Sequence, residues 1–382
     1  MSYLWYWPDG GWDFAAWKSR QSWEPVVSEQ SGSAEPLPLF ADCPPGKRLE
    51  RWEQARAGWQ AVSAEVLGSV NDVPPATMSW EYLGDEFVVT PPAPGHSYAM
   101  RRLRYPLTDD EWGYAWLLTP RDPTGHAGTE PRPAVVALHQ TTASGKAEVV
   151  GLETTGNTSH VQYAAELAAR GFVVLAPDAI AFGERQAGHT NAHYRSAEEF
   201  FAAHPDGSVM AKMAFDVSRA VDLLQVLPQA DARRVGCIGH SHGAYGTLFA
   251  MLAEPRIAAG VASCGLNLLR RDPSRHRWWR QTALIPRLGL YAPAVEQTPL
   301  DFHHWLALVA PRPLMVVAGR RDAIFPDVGE ARWLDQVREV YAAYGADGSF
   351  VPWVFDGPHT FPPAARRQAY RMLAGVLDLP ES

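Results

Sequence analysis

Six short apolar runs, each followed by a helix-like segment, constrain this chain more than any other feature. They read AVVALH (134–139), FVVLAP (172–177), VGCIG (235–239), AGVASCG (259–265), PLMVVAG (313–319) and FVPWVF (350–355). Strands buried on both faces lose the polar alternation of half-exposed ones, so continuous apolar strands separated by helices imply a parallel sheet covered on both sides. The fold class is α/β, a doubly wound and mostly parallel sheet. Three earlier runs, EFVVT, YAMRRLRYPL and GYAWLLTP, predict short antiparallel strands that begin the sheet. Pro352 lacks a ladder donor and places the last strand at an edge.

The helical segments repeat at steps of three and four. Met213, Val217, Val221 and Leu224 share one face, as do Trp333, Val337, Tyr341 and Tyr344. Residues 1–80 differ in composition, with tryptophans at 5, 7, 12, 17, 23, 52, 59 and 80. Within them KRLERWEQARAGWQAVSAEVLG predicts an amphipathic helix carrying Trp52, Ala55, Trp59, Val62 and Val66 on one face and closed by Gly68. The expected organisation is a Trp-rich helical extension, 1–80, packed on a catalytic core, 81–382, with insertions near 183–207 and 265–300.

Charge and length exclude several classes. The 382 residues carry a net charge of −8, which argues against general affinity for nucleic acid or an anionic membrane. Cys43, Cys237 and Cys264 form no disulfide framework, and the tryptophan-rich start lacks the basic and apolar regions of a secretory signal. No window approaches a membrane span. The expectation is a cytoplasmic protein, with homo-oligomerisation left open.

The chemistry concentrates just after the strands, where open parallel sheets bind ligands. Between the third parallel strand and its helix stands Gly239-His240-Ser241-His242-Gly243, a G-x-S-x-G elbow in the strand-turn-helix context that gives the motif its meaning. A serine hydroxyl needs a base, and the base an orienting carboxylate. Asp322 follows a later strand and His359 follows the last, in the order Ser, Asp, His. Asp356, nearer to His359 in sequence, is the weaker alternative because it suits a turn. His240 and His242 point away from their neighbour, but the His242 amide is one expected oxyanion donor and the Gln140 amide, in LHQTTASGK, the other. His139 is expected to support that loop, and Lys146 and Glu148 to form a charge pair that either braces it or is solvated. Among 13 histidines no metal-binding spacing occurs, and no phosphate or dinucleotide motif is present, so no cofactor and no metal is expected.

These residues, together with ALHQTTASGKAEVVGLE, AARGFVVLAPDAIAFGER, LVAPRPLMVVAGRRDAIF and FDGPHTFP, resemble the α/β-hydrolase superfamily, in its dienelactone-hydrolase-like and acetyl-xylan-esterase-like branch. The resemblance implies a triad of Ser241, Asp322 and His359 and an oxyanion hole at Gln140 and His242. The chain departs from dienelactone hydrolases proper, which use cysteine as nucleophile, and serine favours ordinary ester hydrolysis. The expected activity is a serine esterase acting on a small-molecule ester, with acetyl or other short acyl groups on a sugar as candidates. The rivals are a peptidase or amidase of the prolyl-oligopeptidase type and a non-catalytic binding protein. In the second insertion, Arg270, Arg271, Arg275, Arg277 and Arg280 around Trp278 and Trp279 could serve a sugar ring, an acidic acyl group, a solvated loop or a subunit contact.

Overall fold

The structure is a computed structural model and describes residues 14–20, 39–40, 42–91, 95–121, 130–153, 159–186, 200–279, 284–326 and 332–379. Trp5, Trp7, Trp12, Trp23 and Arg280, and most of the first insertion, lie outside the described residues. One ten-stranded sheet organises the molecule, in the order β1-β3-β4-β6-β5-β7-β8-β9-β10 with β2 paired to β3. The six apolar runs are β5 (Arg132–Leu138), β6 (Val173–Pro177), β7 (Ala230–His240), β8 (Ile257–Ser263), β9 (Leu314–Gly319) and β10 (Phe350–Phe355), and all pair in parallel. Before them β2 (Phe87–Val89), β3 (Tyr98–Pro106) and β4 (Trp112–Pro120) form the antiparallel start, and β4 joins the parallel set through β6. The two-residue β1 (Glu81–Tyr82) was not predicted, since a bridge so short has no periodicity to read. As Pro352 requires, β10 pairs with β9 alone and forms an edge.

Helices cover both faces. On one side the 209–226 helix buries Met213, Val217, Val221 and Leu224 against the sheet, and its Ser208 hydroxyl caps it by accepting from the Ala211 amide (3.0 Å). The 332–343 helix buries Trp333, Val337 and Tyr341 in the same cluster. On the other side the 363–376 helix and the short 163–168 helix close a second apolar cluster. The 48–67 helix ends at Gly68, whose φ of 71° lies in the left-handed region and whose amide bonds the Ala64 carbonyl. Trp52 and Val66 from this helix, and Trp17 before it, are buried in the main core, while Trp59 lies 4.2 Å from the His304 ring. These tryptophans are packing residues rather than walls of a cleft.

The second insertion is also part of the core. Trp278 is fully buried, edge-on to Tyr245 (5.2 Å) and beside Phe302 (4.9 Å), and Trp279 is 5% exposed. Neither indole is a platform for a sugar. Arg270 donates to the Thr298 carbonyl (2.5 Å) and Arg277 to Asp272 (3.1 Å), so these guanidinium groups tie the insertion together. The run of arginines gave no hint of this, because their partners are backbone carbonyls and an acid of the same loop.

Candidate active site

The site lies at the carboxyl rim of β5, β7, β9 and β10. Ser241 joins the end of β7 to the helix His242–Ala253 and holds φ 54°, ψ −114°, a left-handed conformation that side chains seldom adopt. The surroundings over-determine it. A Cβ on Gly239 would collide with the Gly243 carbonyl, one on Gly243 with the Leu138 carbonyl, and one on Gly265 with the Ser241 carbonyl. The Ser241 amide bonds the Ser263 carbonyl of β8 (2.7 Å). Glycines fence the serine because backbone occupies the space their side chains would need.

After β9, Asp322 is almost wholly buried and accepts from the amides of Ile324 (2.8 Å) and Phe325 (3.0 Å) through Oδ1. Its Oδ2 receives the Nδ1–H of His359 (2.7 Å), which leaves Nε2 of that ring as an acceptor. Asp356 instead forms an exposed pair with Arg321 (3.0 Å), so the carboxylate at His359 is Asp322. The Arg320 and Arg321 amides donate to the carbonyls of Phe355 and Gly357 (both 2.9 Å) and stitch the loop bearing Asp322 to the loop bearing His359. The His359 ring lies 4.8 Å from that of His240, the residue before Ser241, and 5.8 Å from Phe325 in a near-parallel stack. No hydrogen bond from Ser241 Oγ is formed among the described residues, and such contacts tighten when substrate binds.

The two imidazoles flanking Ser241 are held neutral. Burial pushes His242 down to about 3 and His240 well below the ordinary histidine range. His240 Nδ1 is 3.1 Å from the Ser263 hydroxyl. Both rings therefore belong to the packing around the serine, whereas the His359 ring is partly exposed.

Over the serine runs the loop after β5. The amides of Gln140 and His242 donate to no other group among the described residues, and the latter opens its helix, where such donors are unpartnered. His139 Nε2 accepts from the Ala179 amide (3.0 Å), so its Nδ1–H donates to the Gln140 carbonyl (2.7 Å), which fixes the tautomer and the peptide together. The Gln140 side-chain amide donates to Glu148. Lys146 does not pair with Glu148: its ammonium is buried between Asp178 and Glu184 (2.7 Å to the latter), and Asp178 also accepts from the Lys146 and Glu184 amides (both 2.9 Å). Gly145 and Gly183, at φ 55° and 53°, flank Asp178 so closely that a Cβ on either would strike its carboxylate. The ion pair braces the loop by reaching across to the segment after β6, a partner that local spacing in SGKAEVVGLE could not reveal.

Sequence reading missed Cys264. It follows β8 directly with φ 51°, its thiol donates to the Thr360 carbonyl (3.2 Å), and its sulfur, an Asp322 oxygen and a His359 nitrogen lie within 4.8 Å of one another. The signal was present, since Cys264 stands just past a strand, where an open parallel sheet binds its ligands. Phe325 was missed for a different reason: its stack on His359 depends on two loops meeting.

Among proteins of known description, a carbohydrate esterase from an unknown prokaryotic organism is 26% identical over 172 residues, 42% of this chain and 37% of its own. The chain thus spans little more than a third of that relative's length. A putative hydrolase of Bacillus subtilis is 26% identical over 249 residues, covering 63% of this chain and 75% of the relative. The same fold occurs in a glucuronoyl esterase from Solibacter usitatus, with a TM-score of 0.68 at 17% identity over 91% of this chain and 99% of that one. A family model matches residues 133–361, from β5 to just beyond His359, and through that match the chain belongs to the dienelactone hydrolase family.

Proposed function

We propose that the protein is a serine hydrolase of carboxylic esters that works through an acyl-enzyme, with a carbohydrate ester carrying an acetyl or other short acyl group as substrate. The observation that carries this reading is the His359–Asp322 pair at the rim that Ser241 occupies, with the free face of the imidazole, Nε2, oriented by its bonded Nδ1–H. In the first half-reaction His359 Nε2 takes the Ser241 proton as Oγ attacks the ester carbonyl. The oxyanion forms against the amides of Gln140 and His242, each donor worth about 3 to 4 kcal/mol of barrier. Collapse expels the alcohol, which leaves with the proton from His359, and water repeats the sequence to release the acid. Asp322 holds the ring and stabilises its cation throughout. The carbohydrate part of the reading draws on the carbohydrate esterase among the relatives.

The three cysteines are buried and unpaired, which supports a cytoplasmic location. No helix among the described residues is long and apolar enough to cross a membrane. A fluorophosphonate probe tests the nucleophile: one adduct, mapped to Ser241 and absent in Ser241→Ala, is expected. Failure to label would remove the hydrolase reading. Turnover of peptide anilides in preference to aryl or acetylated-sugar esters would move it to an amidase.

A further inference from the structure

We infer that a cavity at the carboxyl end of β6, two to three strands along the sheet from the proposed nucleophile, is a subsite for a neutral sugar ring of the substrate's glycan chain. The inference deepens the esterase reading and rests on it for the identity of the reaction, though not for the binding itself. The cavity has about 480 Å³, a size usual for small-ligand sites, and the turn after β6 that lines it lies at the carboxyl end of the sheet, the end at which Ser241 follows β7. It is built by the start of β4 (Trp112, Tyr114), the turn after β6 (Glu184, Arg185) and the residues leading into the 209–226 helix (Phe200, Ala203). Because β4 runs antiparallel to β6, its first residues stand at the carboxyl end of β6. In the sheet order β6 and β4 lie two and three strands from β7, about 10 and 14 Å at the usual spacing. That offset suits a ring further along an oligosaccharide than the one bearing the ester.

The wall chemistry selects the ligand. Lys212 is held by Asp72 (2.6 Å), Glu111 (2.5 Å) and Asp216 (3.1 Å), and Arg185 by Glu111 and Asp216. Glu184 meets Lys146 (2.7 Å), which it shares with Asp178, and Arg102 (3.7 Å). Asp110 adds an exposed carboxylate, and Arg104, lying over the Trp112 ring (4.5 Å), is itself paired with Glu81. Among the described residues carboxylates thus exceed the lysine and arginine cations around the cavity, and each of these cations is engaged, as is the lining His204 with Asp72 (3.2 Å). A uronate or phosphate would meet repulsion, with no unengaged cation among the described lining residues to receive it. Hydroxyl groups fit: Glu111 and Glu184, about one-third exposed, and Asp110 supply acceptors, while Trp112, Tyr114 and Phe200 supply apolar surface for the C–H faces of a ring.

Calorimetric titration of the full chain with a neutral xylo-oligosaccharide and with an oligogalacturonate tests the inference. Binding of the neutral chain, insensitive to salt, and none of the anionic one is expected. Ala203→Trp, which fills the cavity from an exposed position, should abolish it and lower the ratio of kcat/KM on an acetylated oligosaccharide to that on an aryl acetate by about tenfold. Trp112→Ala should lower the same ratio. No heat with the neutral oligosaccharide, equal binding by Ala203→Trp, or preference for the anionic chain would overturn the subsite. Sugar binding lost in Ala203→Trp without any phosphonate adduct would keep the subsite and remove the esterase reading. An adduct and aryl-ester turnover without sugar binding would do the reverse.

Discussion

At Ser241 the hydroxyl proposed as nucleophile sits on a backbone that only its neighbours can hold, so its chemistry and its strain can be separated by substitution. Ser241→Ala should lower kcat by about 10⁴ or more while leaving the melting temperature within a few degrees, as measured by ester turnover and calorimetry. Asp322→Asn keeps the shape but presents the wrong hydrogen-bonding partner to Nδ1, and a loss of about 10⁴ in kcat is expected. If Asp322→Asn retains most of its activity, another group orients the imidazole. The elbow at Ser241 and the pairing of Asp322 with His359 were legible in the sequence because each proposed chemical role must follow its own strand. Cys264 and Phe325 were not, since their contact with His359 follows from loops converging rather than from any motif.

The elbow as an element depends on backbone packing closer than any side chain allows. Gly243→Ala would push a methyl group into the Leu138 carbonyl, and a destabilisation of at least about 2 kcal/mol is expected in urea unfolding. Ser208→Ala removes the cap of the 209–226 helix and should cost about 1 kcal/mol in the same measurement. The strands were readable from the chain because burial on both faces leaves an unbroken apolar run, and the edge position of β10 followed from Pro352. What could not be read were pairings across the chain, such as Lys212 with Asp72, which are 140 residues apart. The tryptophan and arginine insertion misleads for the same reason, as its residues look exposed until the core they fill is known.

The whole molecule carries several imidazoles that burial keeps neutral. His240, His242 and His304 are all lowered, His242 to about 3. In the unfolded chain they take up protons below about pH 6.5, whereas the folded chain resists. Their contribution is therefore complete above that pH and is lost as pH falls, at up to about 1.4 kcal/mol per unit for each ring. Asp301, raised to about 6 by burial, acts oppositely: the fold favours its protonated form, so it gains as pH falls from 6 towards 4. Glu148 and Asp272 are raised as well, but Glu111, Asp231 and Glu254 are lowered and lose stability in the same direction as the rings. The net is a fall, and urea midpoints measured from pH 7 to 4.5 should decline steadily. A flat profile would mean that the rings are already protonated in the fold.

Because β10 has a single neighbour, it can be peeled from the parallel set without breaking a second ladder. The loop that follows it is laced to the one bearing Asp322, so loosening either disconnects the proton acceptor and its orienting acid in a single event. Catalytic competence would then vanish at denaturant concentrations that leave the remaining sheet standing.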